Sequence, residues 1–344
     1  MKKPRKSIKI LAIIFGIIIL AAGVGWIYLA SVIRPPEVPN IPIVRPPYTY
    51  FEAGAPQGEN PPPPEVVRYE ERKPDFFTFL IIGLTEGLNA NTIIIASYDA
   101  VTREAHLISI PRDTRLDVER NNRKVVSSYP SGRLGGRGHE GGVARMKDDV
   151  QSLVGFRPDF YITVDYTAFT RMIDAVGGVE IHVPFHMYYN DPYQNLHIDL
   201  AEGTRVLNGH DALLFARYRT GTRGVSPTIS DYQRIVNQQE VISALLGRLL
   251  TPASILRIPE FVSIFNEYVK SDLSSGELLW FANQARHMGG ADALNSYTLP
   301  MAGNSGAPRW YEFADEPAVL ELVNRTVNPF LREIVAEDVR IINR

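Results

Sequence analysis

No cysteine occurs anywhere in the 344 residues, which excludes disulfides, thiolate metal centres and a cysteine nucleophile. Life outside the cytoplasm stays open, because a chain of this length buries a core large enough to dispense with disulfide staples. A large charge excess is also missing: 36 Lys+Arg oppose 38 Asp+Glu, a formal net charge of −2. That balance excludes a polycation built to coat nucleic acid, though not a local basic cleft. The chain contains no G-x-x-x-x-G-K-[ST], G-x-S-x-G or H-E-x-x-H, so NTP-driven, serine-hydrolase and zinc-hydrolase chemistries lose their usual support. No internal repeat is visible. Hydrophobic residues at 45% and charged residues at 22% match ordinary globular usage and exclude a collagen-like or wholly disordered chain.

One apolar run stands apart. Ile10 to Ala30 carries no charge, and twenty helical residues at about 1.5 Å each cross a hydrocarbon core of roughly 30 Å. Lys2, Lys3, Arg5, Lys6 and Lys9 precede it and only Arg34 follows closely, which keeps residues 1–9 in the cytoplasm and places everything after Arg34 outside. The run exceeds the length of a signal-peptide core and lacks an A-x-A site, so residues 10–33 are expected to be an uncleaved single-pass membrane helix. Residues 34–74 include RPPEVPNIPIVRPP and NPPPP. Such a stretch favours extended polyproline II and serves as an extracellular spacer.

The folded body is expected over residues 75–250. Apolar, β-branched runs at Phe76 to Gly83, Thr92 to Tyr98 and Ala105 to Ile110 predict three buried strands. Helical spacing follows at Val143, Met146, Val150 and Val154, and again at Phe169, Met172, Ile173 and Val176. Phe160 to Val164 and Val179 to Val183 predict further strands; His210 to Phe215 and Asp231 to Leu250 predict helices. Alternating elements of this kind predict an α/β fold, three-layered α/β/α, with a mixed central sheet covered by helices on both faces. Residues 251–344 hold three helical patterns and one strand-like run at Leu294 to Pro300, a largely helical extension packed on the same domain.

Charge is concentrated in one stretch. Ten Lys or Arg stand against five acids between Arg103 and Lys147, a stretch that includes RLGGRGHEGG. That segment is either a solvated loop or a backbone that approaches an anion closely. In FARYR, Arg217 and Arg219 are two apart, so in extended chain both guanidinia project from one side. Arg234 and Gln238 lie one helical turn apart on a shared face. Few acids are near in sequence to pair with these arginines, and a multiply charged anion such as pyrophosphate suits the set.

The order and spacing of FFTFLIIG, NTIIIAS, SIPRDT, KVVSSY, DFYITVDYTAFTRMIDAVGGVEIHVP, GTRVLNGHDALLFARYR and DYQRIVNQQ over residues 76–245 resemble the LytR-CpsA-Psr family. The resemblance implies a membrane-anchored extracellular transferase. Such enzymes move a phosphate-linked glycopolymer from a polyprenyl-pyrophosphate carrier to a wall acceptor, commonly a peptidoglycan hydroxyl. Carried over by position, pyrophosphate binding falls on Arg112, Lys124, Arg217, Arg219, Arg234 and Gln238. Arg112, Arg217 and Arg219 are then the catalytic set, with Asp113 as a base or as an orienter of its neighbours.

Two positions depart from the pattern. The family's pair of Mg²⁺-binding Asp residues falls here on Thr85, with Glu86 next to it, and on Asn91. Mg²⁺ prefers hard anionic oxygens, so Glu86 and Asn91 make a weakened metal site. The alternative function is a non-catalytic binder of polyprenyl-pyrophosphate-linked or anionic wall polymer, a scaffold that lost its metal. A transcriptional regulator is disfavoured, because the basic cleft lies outside the membrane. An apolar tunnel for the prenyl tail is expected near Phe169, Ile173, Leu245 and Leu249, residues that equally suit plain core. His186, Asp191, His197 and Asp199 fit no compact metal template and are expected in a strand-edge loop.

Overall fold

The computed structural model describes residues 33–38 and 71–342, apart from 87, 195, 250, 252–257, 286, 289–292 and 307–308. The expected membrane helix lies outside the described residues except for Ile33, as does most of the linker. Among the described residues no helix is long and apolar enough to cross a membrane.

The centre is a six-stranded sheet. Strands β1 (Phe76–Leu84), β2 (Ala90–Asp99), β3 (Glu104–Ser109) and β4 (Phe160–Val164) form its interior, and β9 (Lys270–Ser271) and β10 (Leu294–Thr298) its edges, in the order β10-β3-β2-β1-β4-β9. β1 runs antiparallel to β2 and parallel to β4, with Phe79 opposite Phe160 and Gly83 opposite Val164. Residues beyond 250 thus supply both edges of the sheet.

Strand alternation divides the core into two faces. Leu80, Ile82, Ile93, Ile95 and Ile108 point one way, onto Val143, Met146 and Val150 of one helix and Val319 and Val323 of another. These helices are α2 (Gly138–Val154) and α8 (Glu316–Thr326). Phe77, Phe79, Ile94, Ala96 and Leu107 point the other way, with Trp280 and Phe281 of α7 (Ser275–Ala285) packed against them. The Phe77 ring meets both edge-on, centroids 5.3 Å apart in each case. Helices therefore cover both faces, and the sheet is mixed.

A second core sits beyond β4. Helix α3 (Tyr166–Ala175) leads into β5 (Val179–Val183), the hairpin β6 (Met187–Asp191) and β7 (Leu196–Leu200), then β8 (Gly203–Leu207), which pairs back on β5. Helices α4 (Gly209–Arg217) and α5 (Asp231–Leu249) close over it through Phe215, Val241 and Leu245. Helix α6 (Ile258–Tyr268) then packs by Phe265 near Ala168 of α3.

The glycine-rich stretch departs from expectation. It is mostly helical: α1 (Ser128–Gly132) and α2 cross there with almost no space between backbones. A Cβ on Gly132 would meet the Gly141 carbonyl oxygen at 2.2 Å, and one on Gly142 the Tyr129 ring at 2.8 Å. Gly132, Gly141 and Gly142 thus serve helix packing, while Gly135, Gly136 and Gly138 adopt positive φ in the turn between the helices.

Candidate functional site

A cleft of about 830 Å³ opens at the C-terminal ends of the parallel strands β1 and β4, where Gly83, Leu84 and Val164 form its floor. Open α/β sheets bind ligands at this end, because the chain leaves the strands there in loops free to carry chemistry. Its walls differ in kind. One is apolar, made by Phe169 and Met172 of α3, Val241, Leu245 and Leu249 of α5, and Phe265 of α6. The other is cationic.

Three loop and helix ends build the cationic wall. Pro111 ends the run after β3, and its carbonyl accepts from Thr114 N at 3.0 Å and Thr114 Oγ1 at 2.6 Å. Arg112 O accepts from Val126 N at 3.1 Å, so this turn presents Arg112 from a fixed backbone. Arg217 ends α4, its guanidinium 4.6 Å from the Tyr166 ring centroid, a cation–π contact that orients it without neutralising it. Arg219 follows in irregular chain and Arg234 comes from the first turn of α5.

Three of these arginines share one acid. Asp231 Oδ1 lies 2.9 Å from Arg234 Nη2, 3.7 Å from Arg112 Nη2 and 3.8 Å from Arg219 Nε. Three guanidinia against one carboxylate leave two positive charges uncompensated, contrary to a cluster without acidic partners. Burial, opposed by Asp231 and reinforced by Arg112 and Arg219, pulls Arg234 down to about 10. Its Nε is buried without an acceptor. A buried donor left unpaired costs free energy, and an arriving anion adds the negative charge that the cluster lacks. Gln238 completes this wall, donating to Ala216 O at 3.3 Å and accepting from Thr92 Oγ1 at 3.2 Å.

Arg112, Arg217, Arg219, Arg234, Gln238, Glu86 and Asn91 therefore line one cleft. Lys124 and Asp113 do not; they pair with each other at 2.8 Å, with Lys124 Nζ 6.0 Å from the Tyr311 ring. Of the expected tunnel residues, Phe169, Leu245 and Leu249 line the cleft, whereas Ile173 is fully buried in the second core. No residue of the glycine-rich stretch reaches it. His186, Asp191, His197 and Asp199 belong to the β6–β7 hairpin and its approach, not to a loop, with His186 Nε2 2.7 Å from Asp199 Oδ1.

The metal position has few anionic donors. Glu86 is exposed beside Asn91, and the cleft's other carboxylate, Asp165, accepts from Ala168 N at 2.8 Å as the cap of α3. Among the described residues no three His, Asp or Glu gather as a metal cluster. The set fits Mg²⁺ only as one carboxylate and one amide oxygen, the remaining ligands coming from water and a ligand's own oxygens.

Sequence reasoning missed Asp231 as the shared acid, although its i, i+3 spacing to Arg234 on α5 was visible. It also missed Tyr166 beneath Arg217, and Tyr232 and Glu312, joined by a 3.3 Å hydrogen bond from Tyr232 Oη to Glu312 Oε2. Burial, Asp113 and Asp231 all push the Glu312 carboxyl up, while burial, Glu312 and Asp231 push Tyr232 up to about 12.

Comparison with known proteins agrees on one family. The LytR_cpsA_psr family model matches residues 63–328. Bacillus subtilis TagV, named a polyisoprenyl-teichoic acid–peptidoglycan teichoic acid transferase, is 26% identical over 275 residues, 76% of this chain and 66% of the relative. TagU of the same organism, of like name, is 24% identical over 73% of this chain and 76% of its own. Staphylococcus aureus MsrR, named a regulatory protein, is 26% identical over 53% of this chain and 51% of its own. The chain thus spans about half to two thirds of the length of TagV and MsrR. The crystal structure of B. subtilis TagV shares the fold with a TM-score of 0.60 at 22% identity, covering 74% of this chain and 96% of that one. TagT bound to LIIa-WTA gives 0.58 at 19% identity, covering 75% and 92%.

Proposed function

Because the chain belongs to the LytR-CpsA-Psr family, we propose that it transfers a phosphate-linked glycopolymer from a polyprenyl-pyrophosphate carrier to a hydroxyl of peptidoglycan. The printed names of TagV and TagU support a transferase acting between lipid-linked polymer and peptidoglycan. The observation that carries the reading is the pairing of walls in one cleft: arginines with unspent positive charge face a surface of Phe169, Leu245, Leu249 and Phe265. Few ligands need both at once, and a prenyl chain ending in a diphosphate does.

In this reading the acceptor oxygen attacks the phosphorus that bears the sugar. The bond from that phosphorus to the bridging oxygen breaks, polyprenyl phosphate departs, and the acceptor's proton ends on the departing phosphate or on water. Arg112, Arg219 and Arg234 stabilise charge on the phosphoryl oxygens, an effect worth about 3 kcal/mol per well-aimed donor. Arg217, held over Tyr166, places a further fork on the diphosphate. Lys124 and Asp113 neutralise each other at 2.8 Å, so this pair adds no net charge and acts by bracing the turn that presents Arg112. Mg²⁺ held by Glu86 and Asn91 supplies additional neutralisation of the diphosphate when bound. The chain works outside the cell, tethered by residues 10–33.

The test incubates the full chain with a lipid-linked saccharide and soluble peptidoglycan fragments, with and without Mg²⁺. Covalent attachment of saccharide to the fragment is expected; tight lipid binding with no turnover in any condition sinks the transferase reading. A reporter fused after Leu29 should be active outside the cell and stay with the membrane. Its release into the medium refutes the tether.

A further inference from the structure

Two large aromatic rings next to the cationic wall face solvent. Tyr232, beside the shared acid Asp231, is 42% exposed and Trp310 is 48% exposed. Both converge on one carboxyl: Tyr232 Oη donates to Glu312 at 3.3 Å, and Trp310, whose indole N–H is its only side-chain donor, bonds the same group. Glu312 opens β12 (Glu312–Ala314), a strand paired with β11 (Met301–Asn304). Its backbone is fastened to the Arg112 turn, N to Asp113 O at 3.0 Å and O from Arg115 N at 2.8 Å. On the neighbouring position the Arg115 guanidinium stacks 5.2 Å from the Tyr311 ring, which stiffens the strand from its other side. Asp113 and Asp231 both act electrostatically on Glu312, which puts this group within reach of the cleft's charges.

Exposed aromatics with fixed polar tips and a shared carboxyl are the elements that recognise a sugar ring. The C–H face of a pyranose stacks on an aromatic plane, and its hydroxyls donate to the acceptors this cluster leaves open, the Tyr232 Oη and the remaining lone pairs of the Glu312 carboxyl. A prenyl chain has no use for those acceptors, and a bare diphosphate has none for the rings. We propose that Trp310, Tyr232 and Glu312 form a pyranose-binding subsite bordering the cationic cleft. The proposal rests on the transferase reading for the saccharide's presence there; the ring belongs either to the carrier-linked polymer or to the peptidoglycan acceptor.

Calorimetry on the full chain separates these sources with three probes: geranylgeranyl pyrophosphate, a polyprenyl-pyrophosphate-linked disaccharide, and a soluble peptidoglycan disaccharide-peptide. Trp310→Ala and Tyr232→Leu are compared with wild type, each checked for an unchanged thermal midpoint. Loss of one stacking partner should weaken one saccharide probe roughly tenfold while leaving geranylgeranyl pyrophosphate unaffected. Whether the disaccharide lipid or the peptidoglycan fragment suffers names the source. Unchanged affinity for both saccharides in both variants overturns the subsite, and so does equal weakening of geranylgeranyl pyrophosphate, which makes the rings mere support for the arginines. Saccharide binding that survives in a wild type unable to bind geranylgeranyl pyrophosphate supports the subsite and strikes the transferase reading instead.

Discussion

The two ends of the parallel pair β1 and β4 handle charge in opposite ways. At the N-terminal end Asp159 is buried and meets Arg72 Nη2 at 2.8 Å, Thr78 N at 2.9 Å and Thr78 Oγ1 at 2.7 Å. Beside it Lys147 Nζ donates to Asp159 O at 2.8 Å and lies 3.3 Å from Asp272, whose other oxygen accepts from Tyr161 N at 2.7 Å. Each cation there has its own acid. At the C-terminal end Arg112, Arg219 and Arg234 divide Asp231 among them. Removing charges from water costs free energy that only a close partner returns, so matched pairs belong to the fold. An unmatched cluster held open by a fixed backbone is maintained for something that arrives from outside.

The comparison breaks first at Asp159. Asp159→Ala strips the buried acceptor from a part-buried guanidinium and from two buried Thr78 donors, which should destabilise the protein by about 3 kcal/mol. Urea unfolding reads this directly; a loss below 1 kcal/mol would show that the two ends are not different in kind. At the opposite end Arg112→Ala, Arg217→Ala and Arg219→Ala should leave the urea midpoint nearly unchanged. Each should weaken binding of a polyprenyl pyrophosphate by roughly 1.5 to 3 kcal/mol, ten- to more than a hundredfold. Arg219 is the cleanest probe, since its side chain is 49% exposed and its nearest acid is 3.8 Å away. Unchanged affinity in any two of the three removes the arginines from the binding site.

How much of this was readable beforehand depended on how local the signal was. β1, β2 and β4 are continuous apolar runs whose sheet position follows from burial on both faces, and their residues announce it. The β6–β7 hairpin was missed because Tyr188, Asn190, His197 and Asp199 dilute its alternation with polar residues. At two residues, β9 is set by pairing with β4 and has no periodicity to read. The arginines could be selected by type and spacing, but their sharing of Asp231 needed α5, the Arg112 turn and the chain after α4 to meet. The glycines of RLGGRGHEGG carried a local signal for anion approach; the contact that explains Gly141 and Gly142 lies across two helices, and Gly135, Gly136 and Gly138 answer to positive φ in the turn between them. Sequence proposes residue chemistry well; it is poor at saying which distant groups have already spent it.

Asn91 offers the smallest effect and the sharpest division. Asn91→Asp places a carboxylate in the lining of the open cleft, which Glu86 shares, where the proposed function puts the diphosphate. Water reaches this open cleft, so repulsion of a bound phosphate sits near the aqueous limit of about 1 kcal/mol at 4 Å, roughly fivefold in affinity. Without Mg²⁺ the substitution should therefore weaken binding of polyprenyl pyrophosphate by that factor. With Mg²⁺ the new carboxylate becomes a hard anionic ligand and the sign reverses: metal binds more tightly, lipid affinity recovers to at least the wild-type value, and transfer persists or rises. The reversal needs a site that still uses metal. If the chain is instead a scaffold whose arginines alone neutralise the diphosphate, Mg²⁺ rescues nothing and the weakening holds at every concentration. Titrating Mg²⁺ against lipid affinity in wild type and Asn91→Asp, with turnover measured in parallel, decides between them; weakening at all concentrations with no turnover in either protein would leave the cationic cleft as a binding site and end the case for an enzyme.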